Sequence, residues 1–135
     1  MNDKPLPRVT EITRPYWDGA RAGKFMLQRC RECKQPFHYP RPWCPHCWSV
    51  EYDWFEASGR GHIITFSIVH QAPSKPFATD APYVLAVVRL KEGPQMMANV
   101  IGIDPEKVKV DMPVKITFEE RAGGVRVPQF EPARE

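Results

Sequence analysis

Apolar and polar residues alternate through much of the second half of the chain. Val114, Ile116 and Phe118 alternate with Lys115, Thr117 and Glu119, the period of a strand with one face buried. In the segment from His62 to His70, strict alternation puts Ile64, Phe66 and Ile68 on one face with both histidines. Ile63, Thr65, Ser67 and Val69 then fall on the other. The run from Tyr83 to Leu90 is almost wholly apolar and predicts a central strand. Gly93-Pro94 turns the chain into a fourth apolar segment, Gln95 to Ile101, and Asp104-Pro105-Glu106 opens a turn or a single helical turn. Val125 to Val127 is the last candidate strand. Between the first two strands, residues 71–82 (QAPSKPFATDAP) form a proline-rich loop long enough to be functional.

Five short strands with one slight helical interruption predict a small closed barrel, with the OB-fold first and an SH3-like barrel or open sheet as alternatives. Ahead of the barrel, Thr13 can cap a short helix through Tyr16, Trp17, Ala20 and Arg21, with Pro15 in its first turn and Gly23 ending it. Two adjacent aromatics on so short a helix either dock on their own domain or face a partner protein. Phe25 to Arg29 is extended, and Tyr52 to Phe55 reads as a strand closing a small ribbon. Gly59 and Gly61 mark a break, which divides the chain into residues 1–58 and 59–135.

Between those flanking strands the chain reads CRECKQPFHYPRPWCPHC, two Cys-x-x-Cys pairs separated by ten residues. Two tight cysteine turns brought together supply four thiolates in a tetrahedron. Cys30, Cys33, Cys44 and Cys47 are therefore expected to hold zinc or, in a rubredoxin-like site, iron. With four sulfurs the shell is closed, so the ion is structural. His38 and His46 lie close in sequence but are not needed as ligands. A ribbon of this size cannot bury a core of its own, and the ion takes that place. Replacing Cys44 with Ser is thus expected to unfold the ribbon and leave the barrel folded.

The 15 prolines argue against long helices. No apolar run approaches the roughly 20 residues that cross a bilayer, and the start of the chain lacks an apolar signal core. A reducing cytoplasm is the expected compartment, in which paired cysteines suggest metal rather than disulfides. Charge is unevenly spread. Residues 1–50 carry nine Lys/Arg and four Asp/Glu, for +5, whereas residues 51–135 carry ten and twelve, for −2. A mildly acidic barrel is an unlikely surface for a phosphate backbone, which weighs against a single-stranded nucleic-acid module stacking bases on Trp54, Phe66 and Tyr83.

No nucleophile and base stand near one another in the sequence. The cysteines are all in the metal pattern, Ser58, Ser67 and Ser74 lack an elbow-type context, and Gly59 and Gly61 lack the rest of a phosphate loop. His62 and His70 would lie about 27 Å apart on one strand, too far to cooperate. The residues read as a non-catalytic module.

These features together resemble a family of acyl-CoA-associated proteins built from a rubredoxin-like zinc ribbon followed by an OB-fold. The likeness covers roughly residues 10–131. It rests on the aromatic helix at Tyr16 and Trp17, the PRPWCPHC segment, and the strand signatures GRGHIITFSIVHQ and PYVLAVVRLKEG. The family often places Gly after each cysteine pair, where this chain has Lys34 and Trp48. The resemblance implies a mainly β chain with a short N-terminal helix, a bound zinc, and a role as the small subunit of a thiolase-fold complex. Such complexes make or break carbon–carbon bonds in acyl-CoA thioesters, in thiolase, acyltransferase or aldolase roles, with the catalytic groups on the large partner. On that implication the barrel mouth and its proline-rich loop wall the acyl-CoA entrance. Arg60 or Lys75 would meet a CoA phosphate, and Phe77 and Tyr83 are contact candidates beside Tyr16 and Trp17.

Overall fold

The structure is a computed structural model and describes residues 6–70 and 81–133. A helix, α1 (Arg14–Arg21), precedes a three-stranded sheet of β1 (Met26–Cys30), β2 (Pro36–Phe37) and β3 (Tyr52–Glu56) in the order β2-β1-β3. Five strands then close a barrel in the order β4-β5-β6-β8-β7: β4 (Arg60–Val69), β5 (Tyr83–Leu90), β6 (Gln95–Val100), β7 (Pro113–Glu120) and β8 (Arg126–Pro132). Single 3₁₀ turns at Pro105–Lys107 and Ala122–Gly124 flank β7. The fold class is the expected one, a mainly β chain with a short helix, a ribbon and a five-stranded OB-type barrel.

One face of β4 differs from strict alternation. The pairing of β4 with β5 runs Ile63↔Val88 and then Thr65↔Val87, with a bulge between. The extra residue reverses the parity of the strand. Ile63 therefore joins the inner face, fully buried beside Val88, and Phe66 and Ile68 follow it opposite Ala86 and Val84. The Thr13 side chain does not cap α1; its hydroxyl pairs with that of Thr10 at 3.1 Å instead. Strand β8 is longer than Val125 to Val127, and β2 is an addition to the expected elements.

The barrel seam is uneven. β7 and β8 pair along seven residues, but β6 meets β8 in parallel at a single point, Val100↔Phe130. Side chains satisfy the neighbouring edge of β6. The Met97 amide donates to the Tyr39 hydroxyl at 2.8 Å, and the Asn99 amide donates to Gln129 Oε1 at 3.1 Å. α1 covers this seam. Tyr16 and Trp17 line an apolar hollow with Met96, Met97 and Pro128.

Ribbon and barrel share one core. Tyr16 of α1, Phe25, and Leu27 of β1 belong to the same buried cluster as Ile63, Val88, Val114 and Phe130 of the barrel. A second, smaller cluster sits in the ribbon tip, made of Cys30, Phe37 and Cys44 with Cys33 and Tyr52 against it.

Candidate metal centre

Cys30 ends β1, and Cys33 follows it in a tight turn; Cys44 and Cys47 repeat that arrangement on a second turn. The two turns are built alike. The Lys34 amide donates to the Cys30 carbonyl at 3.1 Å and the Trp48 amide to the Cys44 carbonyl at 2.9 Å. The Cys30 amide donates to the Gln35 carbonyl and the Cys44 amide to the Ser49 carbonyl, five residues on in each case. Lys34 and Trp48 occupy matching left-handed positions, at φ 66° and 69°.

The four sulfurs lie within 4.8 Å of one another. Across the turns, Cys30 Sγ and Cys47 Sγ are 3.5 Å apart, and Cys33 Sγ and Cys44 Sγ 3.6 Å. Four sulfurs at 2.3 Å from a common ion stand about 3.8 Å apart, so the cluster fits a tetrahedral zinc. Backbone amides point at the sulfurs, from Cys33 to Cys30 Sγ at 3.4 Å and from His46 to Cys44 Sγ at 3.3 Å. The Cys33 amide is the main reason that the Cys30 thiol is held down to about 6. For Cys33, the Gln35 amide lowers the pKa, but burial and the neighbouring thiols outweigh it and push the thiol up to about 12. Four clustered thiols cannot all ionise alone; a divalent cation removes that repulsion and stabilises all four thiolates.

Neither histidine joins the sulfur group. His46 is exposed on the second turn. His38 sits among aromatic rings, 5.3 Å from Tyr16, 6.0 Å from Phe25 and 4.4 Å from Tyr39 between centroids, with Nε2 buried and unpartnered. Burial, with the Arg41 charge adding to it, pushes His38 down to about 4.

Sequence reasoning did not single out the residues that hold the second turn in place. Gln28, buried in β1, donates through Nε2 to the Arg41 carbonyl at 2.7 Å and accepts from the Arg41 amide at 2.9 Å. This two-point clamp fixes the segment that leads into Cys44. Its only trace in the sequence is a polar residue between Phe25, Leu27 and Cys30. At the junction, the Glu92 carboxylate accepts from the Ser58 amide at 2.8 Å and ties the β5–β6 turn to the end of the ribbon.

The other expected contact residues are dispersed. Tyr16 is buried at 6% exposure, which favours docking on its own domain, and Trp17 packs half-buried beside it with ring centroids 4.9 Å apart. Tyr83 lines a cavity of about 220 Å³ at one barrel end with Asn99, Ile103 and Gln129. Arg60 lies at the other end, because β4 and β5 pair Gly61 with Leu90 and Val69 with Tyr83. Arg60 and Tyr83 therefore do not share a site. Lys75 and Phe77 lie outside the described residues. Trp54 and Phe66 pack against the core and do not form an exposed stacking platform with Tyr83. No helix among the described residues is long and apolar enough to cross a membrane.

Two family models divide the chain between them. The ChsH2 rubredoxin-like zinc ribbon domain matches residues 17–53, and the ChsH2 C-terminal OB-fold domain matches residues 54–119. A solved structure titled "Ltp2-ChsH2(DUF35) aldolase" superposes with a TM-score of 0.83 at 34% identity, over 94% of this chain and 98% of that one. The chain belongs to the ChsH2 family. Its ribbon is a zinc ribbon, and the four cysteines are positioned for that ion. A curated relative from Thermomonospora curvata, a probable enoyl-CoA hydratase alpha subunit, is 35% identical over 96% of this chain but only 40% of its own length. A benzoylsuccinyl-CoA thiolase subunit, BbsA, of Geobacter metallireducens is 30% identical over 67% of this chain and 58% of its own. This ChsH2-type chain thus spans less than two thirds of the length of both curated relatives.

Proposed function

We propose that this chain is a non-catalytic accessory subunit of a thiolase-fold complex that makes or breaks carbon–carbon bonds in acyl-CoA thioesters. Its zinc, ligated by Cys30, Cys33, Cys44 and Cys47, orders the tip of the ribbon (within residues 1–58), whose base packs on the barrel (residues 59–135) through the shared core. The two together stabilise the large partner and border the acyl-CoA entrance. The observation that carries this reading is the match along 98% of a chain whose structure is titled as an aldolase of two named components. The thiolase subunit among the relatives points to the same class of partner. A closed four-sulfur shell leaves no open position for a substrate, and both pairs of cysteines are committed to it.

Co-expression with a thiolase-fold protein encoded beside it tests the reading. A stable complex should elute as one species, and acyl-CoA turnover should need both chains. Thioester turnover by this chain alone, or failure of the two to associate, would overturn it.

A further inference from the structure

The four cysteines are not equally protected. Cys30 and Cys44 are fully buried, Cys33 is half-buried, and Cys47 is exposed, flanked by the exposed His46 and Trp48. The Cys47 sulfur lies 3.5 Å from that of the buried Cys30 on the opposite turn. Thiol oxidation follows thiolate character and access, and zinc ligation keeps all four as thiolates. Access is then what separates them.

We propose that Cys47 is a peroxide-sensitive zinc ligand, and that its oxidation releases the ion by forming a Cys30–Cys47 disulfide between the two turns. The Cys47 thiolate attacks the outer oxygen of a hydroperoxide. The O–O bond breaks, the sulfur becomes a sulfenic acid, and the departing oxygen leaves as water or an alcohol after taking up a proton. The Cys30 thiolate then attacks the Cys47 sulfur; the S–S bond forms, the S–O bond breaks, and hydroxide leaves. Two electrons pass from the sulfur pair to the peroxide, and the ion keeps only Cys33 and Cys44. A bond between the turns ties them together after the metal has gone, so added thiol and zinc restore the centre.

The zinc-loaded chain is treated with hydrogen peroxide while a chromogenic chelator reports free zinc and mass spectrometry maps the cysteines. The expected result is one zinc released per chain, a sulfenic-acid trap on Cys47 at early times, and a Cys30–Cys47 disulfide at the end. Cys47→His keeps a four-ligand zinc shell without the exposed thiol and should slow release by about tenfold or more. Mapping of the unmodified chain decides the matter without the variant. First oxidation at Cys33 or Cys44, a disulfide within one turn or between Cys33 and Cys44, or zinc retained under peroxide would each overturn the proposal.

Discussion

Lys34 and Trp48, the residues that follow the two cysteine pairs, both lie in the left-handed region. A Cβ there costs roughly 1 kcal/mol, and the tight turn that presents two sulfurs to one ion demands it. Glycine removes that cost but adds roughly 0.5 kcal/mol of chain entropy to the unfolded state. Lys34→Gly should thus stabilise the zinc-loaded chain by about 0.5 kcal/mol, read as a higher urea midpoint at unchanged zinc content. A lower midpoint would mean that the exposed Lys34 side chain has a role beyond its backbone. His38 gives a second prediction. Its folded pKa of about 4 lies below the ordinary 6.5, so between those values the unfolded chain binds the extra proton. Its contribution is complete above pH 6.5 and is lost as pH falls toward 4. A full shift of that size corresponds to about 3 kcal/mol. Acid also strips zinc from thiolates. The measure is therefore the difference between the native chain and His38→Phe, which sets an uncharged ring beside Tyr16, Phe25 and Tyr39. That difference should shift by 2–3 kcal/mol, roughly, in favour of the variant from pH 7 to pH 4.5, and a pH-independent difference would refute it. At this scale the four ligands were legible because their spacing is local. Gln28 and Glu92 were not, since their partners Arg41 and Ser58 stand 13 and 34 residues away.

Elements were legible where the pattern is unbroken, β7 by its alternation and β5 by its almost wholly apolar run. β4 defeats alternation because a single inserted residue at the bulge moves Ile63 inward, and no periodicity announces an insertion. β8 runs beyond the expected Val125 to Val127 and takes in Pro128 and Pro132. They are tolerated because β8 pairs fully only with β7 and touches β6 at one point. The two residues of β2 are too few to show a pattern. The start of β4 carries a sharper constraint than its composition suggests. A Cβ on Gly61 would stand 2.5 Å from the Arg89 carbonyl oxygen and 2.8 Å from Val88 Cγ1. The oxygen belongs to the paired backbone of β5 and cannot swing aside. Gly61→Ala should therefore cost about 2 kcal/mol by urea unfolding while zinc content stays at one per chain. Unchanged stability would show that β4 and β5 can separate locally without loss.

The ribbon and barrel were expected to be separable, with Cys44→Ser unfolding one and sparing the other. The shared core alters that outcome. Phe25 and Leu27 of the ribbon side are buried with Val88 and Phe130, and the Ala57 amide donates to the Phe25 carbonyl at 2.8 Å, so the base of the ribbon is part of the barrel's own packing. Only the tip, with Cys30, Phe37, Cys44 and Tyr52, depends on the ion for its small cluster. Losing one thiolate should abolish tight zinc binding and melt that tip, because three buried apolar groups cannot offset the entropy of ordering the segment. Melting should stop near Leu27, where burial against the barrel resists it. In Cys44→Ser, hydrogen exchange should therefore quicken at amides from Cys30 to Phe37 and from Cys44 to Tyr52. Protection at Leu27, Val88 and Phe130 should persist, weakened by about 1–3 kcal/mol as their cover loosens. Full zinc stoichiometry in the variant would refute the ligand assignment. Complete loss of barrel protection would instead show that the ion stabilises the whole molecule, with no boundary inside the shared core at which unfolding can halt.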